Sequence, residues 1–382
     1  MAHARTEALN RRLQIIRDDI AARRLDGLVV TSLPNILYLT NFTGSSAIVV
    51  VTPDSVRFLT DFRYVTAVDS ARGTPCECPG LEVVKVDGSY DSTLASLLTS
   101  MAGQRIGFEA AHLTVSRHAW LLAHIATDGR PACELVATQG IIERARVRKD
   151  EGEVATLRDA AHRLSRAAER IFDEVRRGRT ETEVAAAIES CLRRAGFAKL
   201  AFDTIVAAGP NSALPHARPG DRKLTEGDLV VLDFGGVYDS YCVDLTRTVS
   251  VGRADPRVRE VYGAVREAHD RAIGAVAPGV SRFEIDAAAR DTLARHGLGE
   301  AFGHGTGHGL GIEVHEDPRV SRRRPQMDEE AADESVAAGM VFTIEPGAYL
   351  PGWGGVRIED DVLVTDTGVE VLTDVTTDLI EI

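Results

Sequence analysis

Two periods of apolar and polar positions run along this chain, and the places where they switch predict its elements. Thr6 to Arg24 follows the helical period and predicts an amphipathic helix. Leu25–Thr31, Ala47–Val51 and Val56–Leu59 are short apolar runs that predict strands, with turn residues at Pro34-Asn35 and Pro53 to Ser55. Further strands are expected at Leu81–Val86 and near Ile106, and helices around Ser92–Met101 and Ser116–Ile125. The alternation predicts an N-terminal α/β domain with a mixed sheet. Asp61-Phe62-Arg63-Tyr64 reads as a strand end followed by a helix start.

From Ile141 to Glu153 the chain becomes strongly charged, with no Pro/Gly-rich linker, and a long helical pattern follows to about Arg176. The domain boundary is placed there, giving domains at residues 1–146 and 147–382. Thr180 to Ala195 predicts a second helix, with Thr180 as N-cap and Glu183 three residues on. From Leu200 the pattern turns to strands and Gly-rich turns, then to a helix pair at Pro256–Ala277 and Ser281–His296, and it ends in strands. Ser321 to Ser335 is a polar block, basic then acidic, that reads as a solvated loop.

Composition narrows the function classes. A net charge of −13 argues against a nucleic-acid surface and against docking on an anionic membrane. Four Lys against forty Arg is a compositional bias without functional content. The N-terminus lacks the apolar stretch of a signal peptide, and no apolar run is long enough to cross a bilayer. Five scattered cysteines suit a reducing compartment, so a cytoplasmic protein is expected. Cys76-Glu77-Cys78 has no second cysteine pair and reads as a loop rather than a metal hook.

Candidate chemistry concentrates in the C-terminal half. In Val230–Thr248, two strand-like runs flank a turn. A hairpin centred on Tyr238-Asp239 sets Asp233 directly opposite Asp244, on one face, with Cβ atoms roughly 4.5–5.5 Å apart. Two carboxylates so close, among Val230, Val231, Leu232 and Phe234, need a shared proton or a cation. In Phe302–Pro318, His304, His308 and His315 stand among five glycines, a composition that disfavours a helix and lets the imidazoles approach one another. In Val341–Thr365, Glu345 ends an apolar strand before a Pro-Gly turn, and Glu359 lies in a second strand, two residues from Arg357 and on the same face. A ligand set rich in oxygen disfavours a structural cysteine-type zinc site and suits Mn²⁺, Co²⁺, Fe²⁺ or Zn²⁺ in a paired centre. Two metals roughly 3.5–4 Å apart can share a hydroxide and ready it to attack a carbonyl.

These motifs resemble the metallopeptidase family with the pita-bread fold, which contains Xaa-Pro aminopeptidases, prolidases, methionine aminopeptidases and the metal-free creatinases. Asn35–Ser45 and Leu59–Tyr64 resemble the N-terminal domain of its proline-directed members. The resemblance implies an α+β chain with a smaller N-terminal α/β domain and a C-terminal pita-bread catalytic domain. It also implies two divalent metal ions, expected as Mn²⁺. Asp233 would be a terminal ligand of one metal, Asp244 and Glu359 would bridge both, and His308 and Glu345 would complete the other. Glu345 would also assist proton transfer. His315 would steady the tetrahedral intermediate, with His216 as its partner near the substrate carbonyl, and Arg357 would orient a ligand or hold a substrate carboxylate. His304 and Tyr349 would line a proline pocket. Residues 321–335 depart from the family pattern and look like an insertion.

The implied activity is hydrolysis of the Xaa-Pro bond at a peptide N-terminus, aminopeptidase P-like, with Xaa-Pro dipeptidase as the alternative. A non-catalytic binding protein or a metal-free creatinase-like hydrolase on the same fold is the reading from another class. A homodimer is expected by resemblance.

Overall fold

The computed structural model describes residues 4–127, 130–323 and 335–382. Most of the polar block at 321–335 therefore lies outside the described residues. The chain divides into two compact units, Met1–Arg146 and Val147–Ile382.

In the first unit, helix α1 (Thr6–Ala22) buries Leu9, Leu13, Ile16 and Ile20 along one stripe, as its period predicts. Strands β1 (Gly27–Val30), β2 (Ile48–Val51), β3 (Val56–Thr60), β4 (Leu81–Lys85), β5 (Arg105–Glu109) and β6 (Glu134–Thr138) form one sheet, ordered β4-β3-β2-β1-β5-β6. It is mixed: β2 pairs antiparallel with β1 and β3, and the other neighbours are parallel. Pro34-Asn35 does not make a turn. It lies in the first turn of helix α2 (Leu33–Thr40), where proline's missing N–H has no intrahelical partner to lose. Asp61 caps α3 (Phe62–Asp69), accepting from the Arg63 N–H at 3.0 Å. Helices α4 (Tyr90–Ser100), α5 (Val115–His124) and α6 (Ile141–Val147) follow along the chain.

The second unit begins with two helices whose starts are set by reciprocal capping. These are α7 (Glu151–Phe172), from Asp150 and Glu153, and α8 (Glu181–Arg194), from Thr180 and Glu183. Strands β7 (Ile205–Ala208), β8 (Leu229–Tyr238) and β9 (Tyr241–Ser250) follow, then α9 (Pro256–Gly274) and α10 (Arg282–Arg295). The chain closes with β10 (Gly307–Gly309), β11 (Glu316–Val320), β12 (Val341–Ile344), β13 (Gly347–Leu350), β14 (Gly354–Arg357), β15 (Asp360–Val364), β16 (Val369–Val371) and β17 (Ile380–Glu381). Two sheets result, ordered β7-β8-β9-β17 and β11-β10-β12-β15-β16, beside the β13-β14 hairpin.

Each sheet has its own pair of helices. Leu157, Leu164, Val184 and Ile188 of α7 and α8 pack on Val230, Leu232, Phe234, Val243 and Leu245 of the first sheet. Val258, Val265, Ile285 and Leu293 of α9 and α10 pack on Phe342, Ile344, Val362 and Val364 of the second. Strand alternation then decides where the acids go. With Val230, Leu232 and Phe234 committed to one core, Asp233 faces the opposite side; with Val243 and Leu245 committed, so does Asp244.

Candidate metal centre

The β8–β9 register differs by two residues from that expected. Asp233 pairs with Thr246 and Asp244 with Gly235. The turn residues are Asp239 and Ser240, both in the left-handed region at φ 50° and 74°, as a two-residue hairpin loop of this twist requires. A displacement by two preserves the face, so both acids still point the same way, as diagonal rather than direct neighbours.

They open into a cavity of about 840 Å³. Asp233, Asp244, His308, Glu345, Glu359, His216, His304, His315 and Arg357 all line it. Asp244, His308 and Glu359, all buried, each offer a ligand atom within 4.8 Å of one another. Glu345 lies just after β12, its Oε1 3.7 Å from His308 Nε2. Asp233 stands a little apart, its carboxylate hydrogen-bonded to Arg357. Tyr349 backs this pair rather than facing the cavity directly: its hydroxyl accepts from Arg357 Nη1 at 2.8 Å and lies 2.9 Å from His304 Nε2. Glu359 is at the joint between β14 and β15, not within a strand. Its N–H donates to the Thr246 carbonyl at 3.1 Å, and its Oε2 accepts from the Thr246 hydroxyl at 2.6 Å.

The glycines around His308 allow close stacking of backbones. A Cβ on Gly307 would collide with the Thr343 carbonyl, and one on Gly309 with that of Asp317. His308 is fixed from behind: its N–H donates to Thr343 Oγ1 at 3.2 Å, and its Nδ1 lies 3.1 Å from the Gly309 carbonyl. Nδ1 is thus the protonated nitrogen, and Nε2 keeps its lone pair for the acids. Burial, reinforced by neighbouring His315 with rings 4.4 Å apart, pushes His308 down to about 4, so it is neutral at physiological pH. His304 is also pushed down to about 4 by burial, and its Nδ1 faces the Gly305 carbonyl at 2.8 Å.

The acids shift the other way. Burial first, then the charges of Glu359, Asp233 and Asp361, holds Asp244 well above the usual carboxylate range. Burial and the charges of Glu345 and Asp233 do the same to Glu359. Glu345 is pushed up to about 7, chiefly by burial, with Arg357 opposing. Asp244 Oδ1 is buried with no hydrogen-bond partner among the described residues. A divalent cation fits this donor set: buried carboxylate oxygens short of donors, and a neutral imidazole presenting a lone pair.

Several supporting residues stand outside the motifs that the sequence singles out. Asp286 on α10 accepts from the Thr306 N–H and hydroxyl, and Arg290 donates to the carbonyls of Phe302 and His304, fastening the His304 loop. Their spacing of four on a predicted helix was the available cue. Buried Glu181 accepts from the Ala208 and Gly220 N–H groups and so fixes the segment carrying His216.

Comparison with known proteins supplies the family. Residues 155–366 match Metallopeptidase family M24, and residues 12–148 match the Creatinase/Prolidase N-terminal domain. The chain belongs to metallopeptidase family M24. This M24 peptidase has the α+β, pita-bread architecture of that family behind its N-terminal creatinase/prolidase-type domain. It is 38% identical over 362 residues to the uncharacterized peptidase YqhT of Bacillus subtilis, covering 95% of this chain and 97% of that one. It is 42% identical over 247 residues to an Xaa-Pro dipeptidase of Pyrococcus horikoshii, 65% and 68% of the respective chains. Among solved structures, the Xaa-Pro dipeptidase from Bacillus anthracis superposes with a TM-score of 0.89 at 36% identity, covering 98% of this chain and all 100% of that one. The X-Pro aminopeptidase from Thermotoga maritima gives 0.82 at 33%, covering 94% and 98%. Among the described residues, no helix of this M24 peptidase is long and apolar enough to cross a membrane.

Proposed function

We propose that this M24 peptidase cleaves the Xaa-Pro bond at the N-terminus of short peptides, using two divalent metal ions held by Asp233, Asp244, His308, Glu345 and Glu359. The observation that carries this reading is the buried Asp244–His308–Glu359 group, in which one carboxylate oxygen has no partner among the described residues. Relatives named as Xaa-Pro dipeptidases and an X-Pro aminopeptidase support the proline direction. Mn²⁺ is the proposed metal, with Co²⁺, Zn²⁺ or Fe²⁺ able to replace it in an oxygen-rich set. Bound there, the cations polarise the scissile carbonyl and furnish a nucleophile at neutral pH.

The chain's own residues supply the rest. A bond to proline nitrogen is a tertiary amide without an N–H, so recognition falls on ring shape and on the carbonyl. His304, backed by Tyr349, forms the wall offered to the proline ring. His216 and His315 line the cavity as donors to the carbonyl oxygen when it gains charge. Glu345 takes the proton from the attacking water and returns it to the departing nitrogen. Arg357 orients Asp233 through a charge-assisted hydrogen bond.

The second reading, a dipeptidase, is favoured by Arg218 and Arg319 in the cavity lining, since a guanidinium there can hold the carboxylate that only a dipeptide presents next to its proline. We place the enzyme in the cytoplasm as a homodimer; free cysteines support the first assignment, and family resemblance the second. One assay separates the readings. Chelated protein, reloaded with Mn²⁺, Co²⁺ or Zn²⁺ in turn, is given an Xaa-Pro dipeptide, an Xaa-Pro tripeptide and Xaa-Ala controls. Turnover of both proline peptides supports the aminopeptidase, turnover of the dipeptide alone supports the dipeptidase, and no proline-dependent turnover with any metal ends the proposal.

A further inference from the structure

Behind the acid cluster lies a second buried polar group that the reaction does not use. Arg247 is 1% exposed, and on alternating β9 it points away from the face that carries Asp244 and Thr246. A guanidinium has five N–H donors, and all five are placed. Nη1 donates to the carbonyls of Thr246 at 2.9 Å and Glu359 at 2.5 Å. Nη2 donates to Asp360 Oδ1 at 2.8 Å and the Val375 carbonyl at 2.7 Å, and Nε to the Thr376 carbonyl at 2.8 Å. Asp360 is flanked in turn from α9, in ion-pair contact with His269, whose Nε2 lies 3.0 Å from its Oδ2.

The connectivity has a geometric result. Glu359 lies between strands, so no ladder of its own sets its distance from Asp244. Its N–H reaches the Thr246 carbonyl, while Arg247 joins the carbonyls of Thr246 and Glu359 through one rigid nitrogen. Both peptide planes of Glu359 are therefore fastened to the strand that carries Asp244. The two acids repel each other and would spread when no cation is between them. We propose that Arg247, braced by Asp360 and His269, is a positioning residue that holds Glu359 at metal-binding distance from Asp244 and so sets the protein's divalent-cation affinity. This rests on the metal reading above, which wild-type binding tests separately.

The experiment measures the Mn²⁺ dissociation constant of the chelated full-length chain by titration calorimetry, together with its metal-free melting temperature. Wild type, Arg247→Lys, Asp360→Asn and Leu164→Ala are compared. Leu164 is a core residue of α7 outside the polar group, so its truncation lowers stability without loosening Glu359. Arg247→Lys keeps the charge but not the fork, and is expected to weaken Mn²⁺ binding about 10- to 100-fold, the usual loss for a residue that orients a ligand. Asp360→Asn, which retains one acceptor for Arg247, is expected to weaken it several-fold and serves alone if Arg247→Lys does not fold. Leu164→Ala should melt earlier with unchanged affinity. Unchanged affinity in Asp360→Asn and in any folded Arg247→Lys overturns the proposal, as does an equal loss in Leu164→Ala. Absence of Mn²⁺ binding by wild type would instead remove the metal reading itself.

Discussion

Glu109 in the first unit and Glu359 in the second are both buried carboxylates, at 8% and 2% exposure, yet the chain treats them in opposite ways. Glu109 accepts from the N–H groups of Thr31 at 2.6 Å and Ser32 at 2.8 Å, and from Asn35 Nδ2 at 2.6 Å. Two of these donors are backbone amides at the start of α2, so the charge also meets the positive end of a helix dipole. Among the described residues, Glu359 receives one hydroxyl at its carboxylate, from Thr246, and its neighbour Asp244 has an oxygen with no partner. Asp360, the next residue along, returns to the first pattern. Burial would raise its pKa, but Arg247 and His269 outweigh that and hold it below the ordinary carboxylate range. Burial of an acid therefore does not mark a functional site. At Asp244 and Glu359 a shortage of donors coincides with the cavity wall, and it is the two together that mark the site, since Asp361 Oδ1 also lacks a partner among the described residues but lies outside the cavity lining.

The sharpest test of this contrast exchanges one acid of each kind for its amide. Asp244→Asn should lower turnover on an Xaa-Pro peptide by about 10³-fold or more, since a ligand oxygen is lost, while the metal-free protein melts higher because a repelling charge is gone. Glu109→Gln should do the reverse. Its amide can keep an oxygen on the Thr31 and Ser32 N–H groups only by turning its NH₂ onto the donor Asn35 Nδ2, costing about 1–3 kcal/mol of stability, with turnover per folded molecule nearly unchanged. A metal-free Asp244→Asn that melts lower, or an inactive Glu109→Gln with normal melting, would break the comparison.

The same contrast has a pH signature. Glu345 is raised from its ordinary value to about 7 in the folded chain, and Asp244 and Glu359 move in the same direction. A raised acid binds more protons folded than unfolded. Its stabilisation is thus complete below the unfolded carboxyl range and is lost as pH rises through the folded value. The melting temperature of chelated protein should fall between about pH 4.5 and pH 7, and saturating Mn²⁺ should remove most of that slope. A metal-free melting temperature independent of pH over this range would count against uncompensated acids. The smallest expected effect lies at the cavity wall. Arg319→Gln should raise KM for an Xaa-Pro dipeptide about tenfold and leave a tripeptide little changed; equal effects on both would remove the carboxylate-holding role.

Much of this is legible in the sequence, for reasons that can be located. The helical periods of Thr6–Ala22 and Glu181–Arg194 are local, and so are the capping residues of α8. Asp233 and Asp244 share a face by parity, which survives a register displacement by two; the register itself depends on Asp239 and Ser240 both adopting left-handed backbone, which neither residue announces. Helix α2 was missed because a Pro-Asn pair serves a turn and a helix start equally well. Arg247 was invisible for a different reason. In a chain with forty arginines, one within Asp244–Thr248 carries no local mark, and all but one of its acceptors come from residues more than a hundred positions away.

The glycines on either side of His308 also bear on how such an enzyme can change. Neither Gly307 nor Gly309 has room for a single added carbon, because backbone carbonyls of Thr343 and Asp317 occupy the space. That wall of the cavity is closed to adaptation: a substitution there costs the strand before it can alter what binds. New substrate preference has to be acquired on the segments Phe202–Ile205 and Ala217–Pro219, which line the same cavity outside the residues given a part in the chemistry. A mutagenesis library confined to those two segments would explore selectivity while leaving the acid cluster intact.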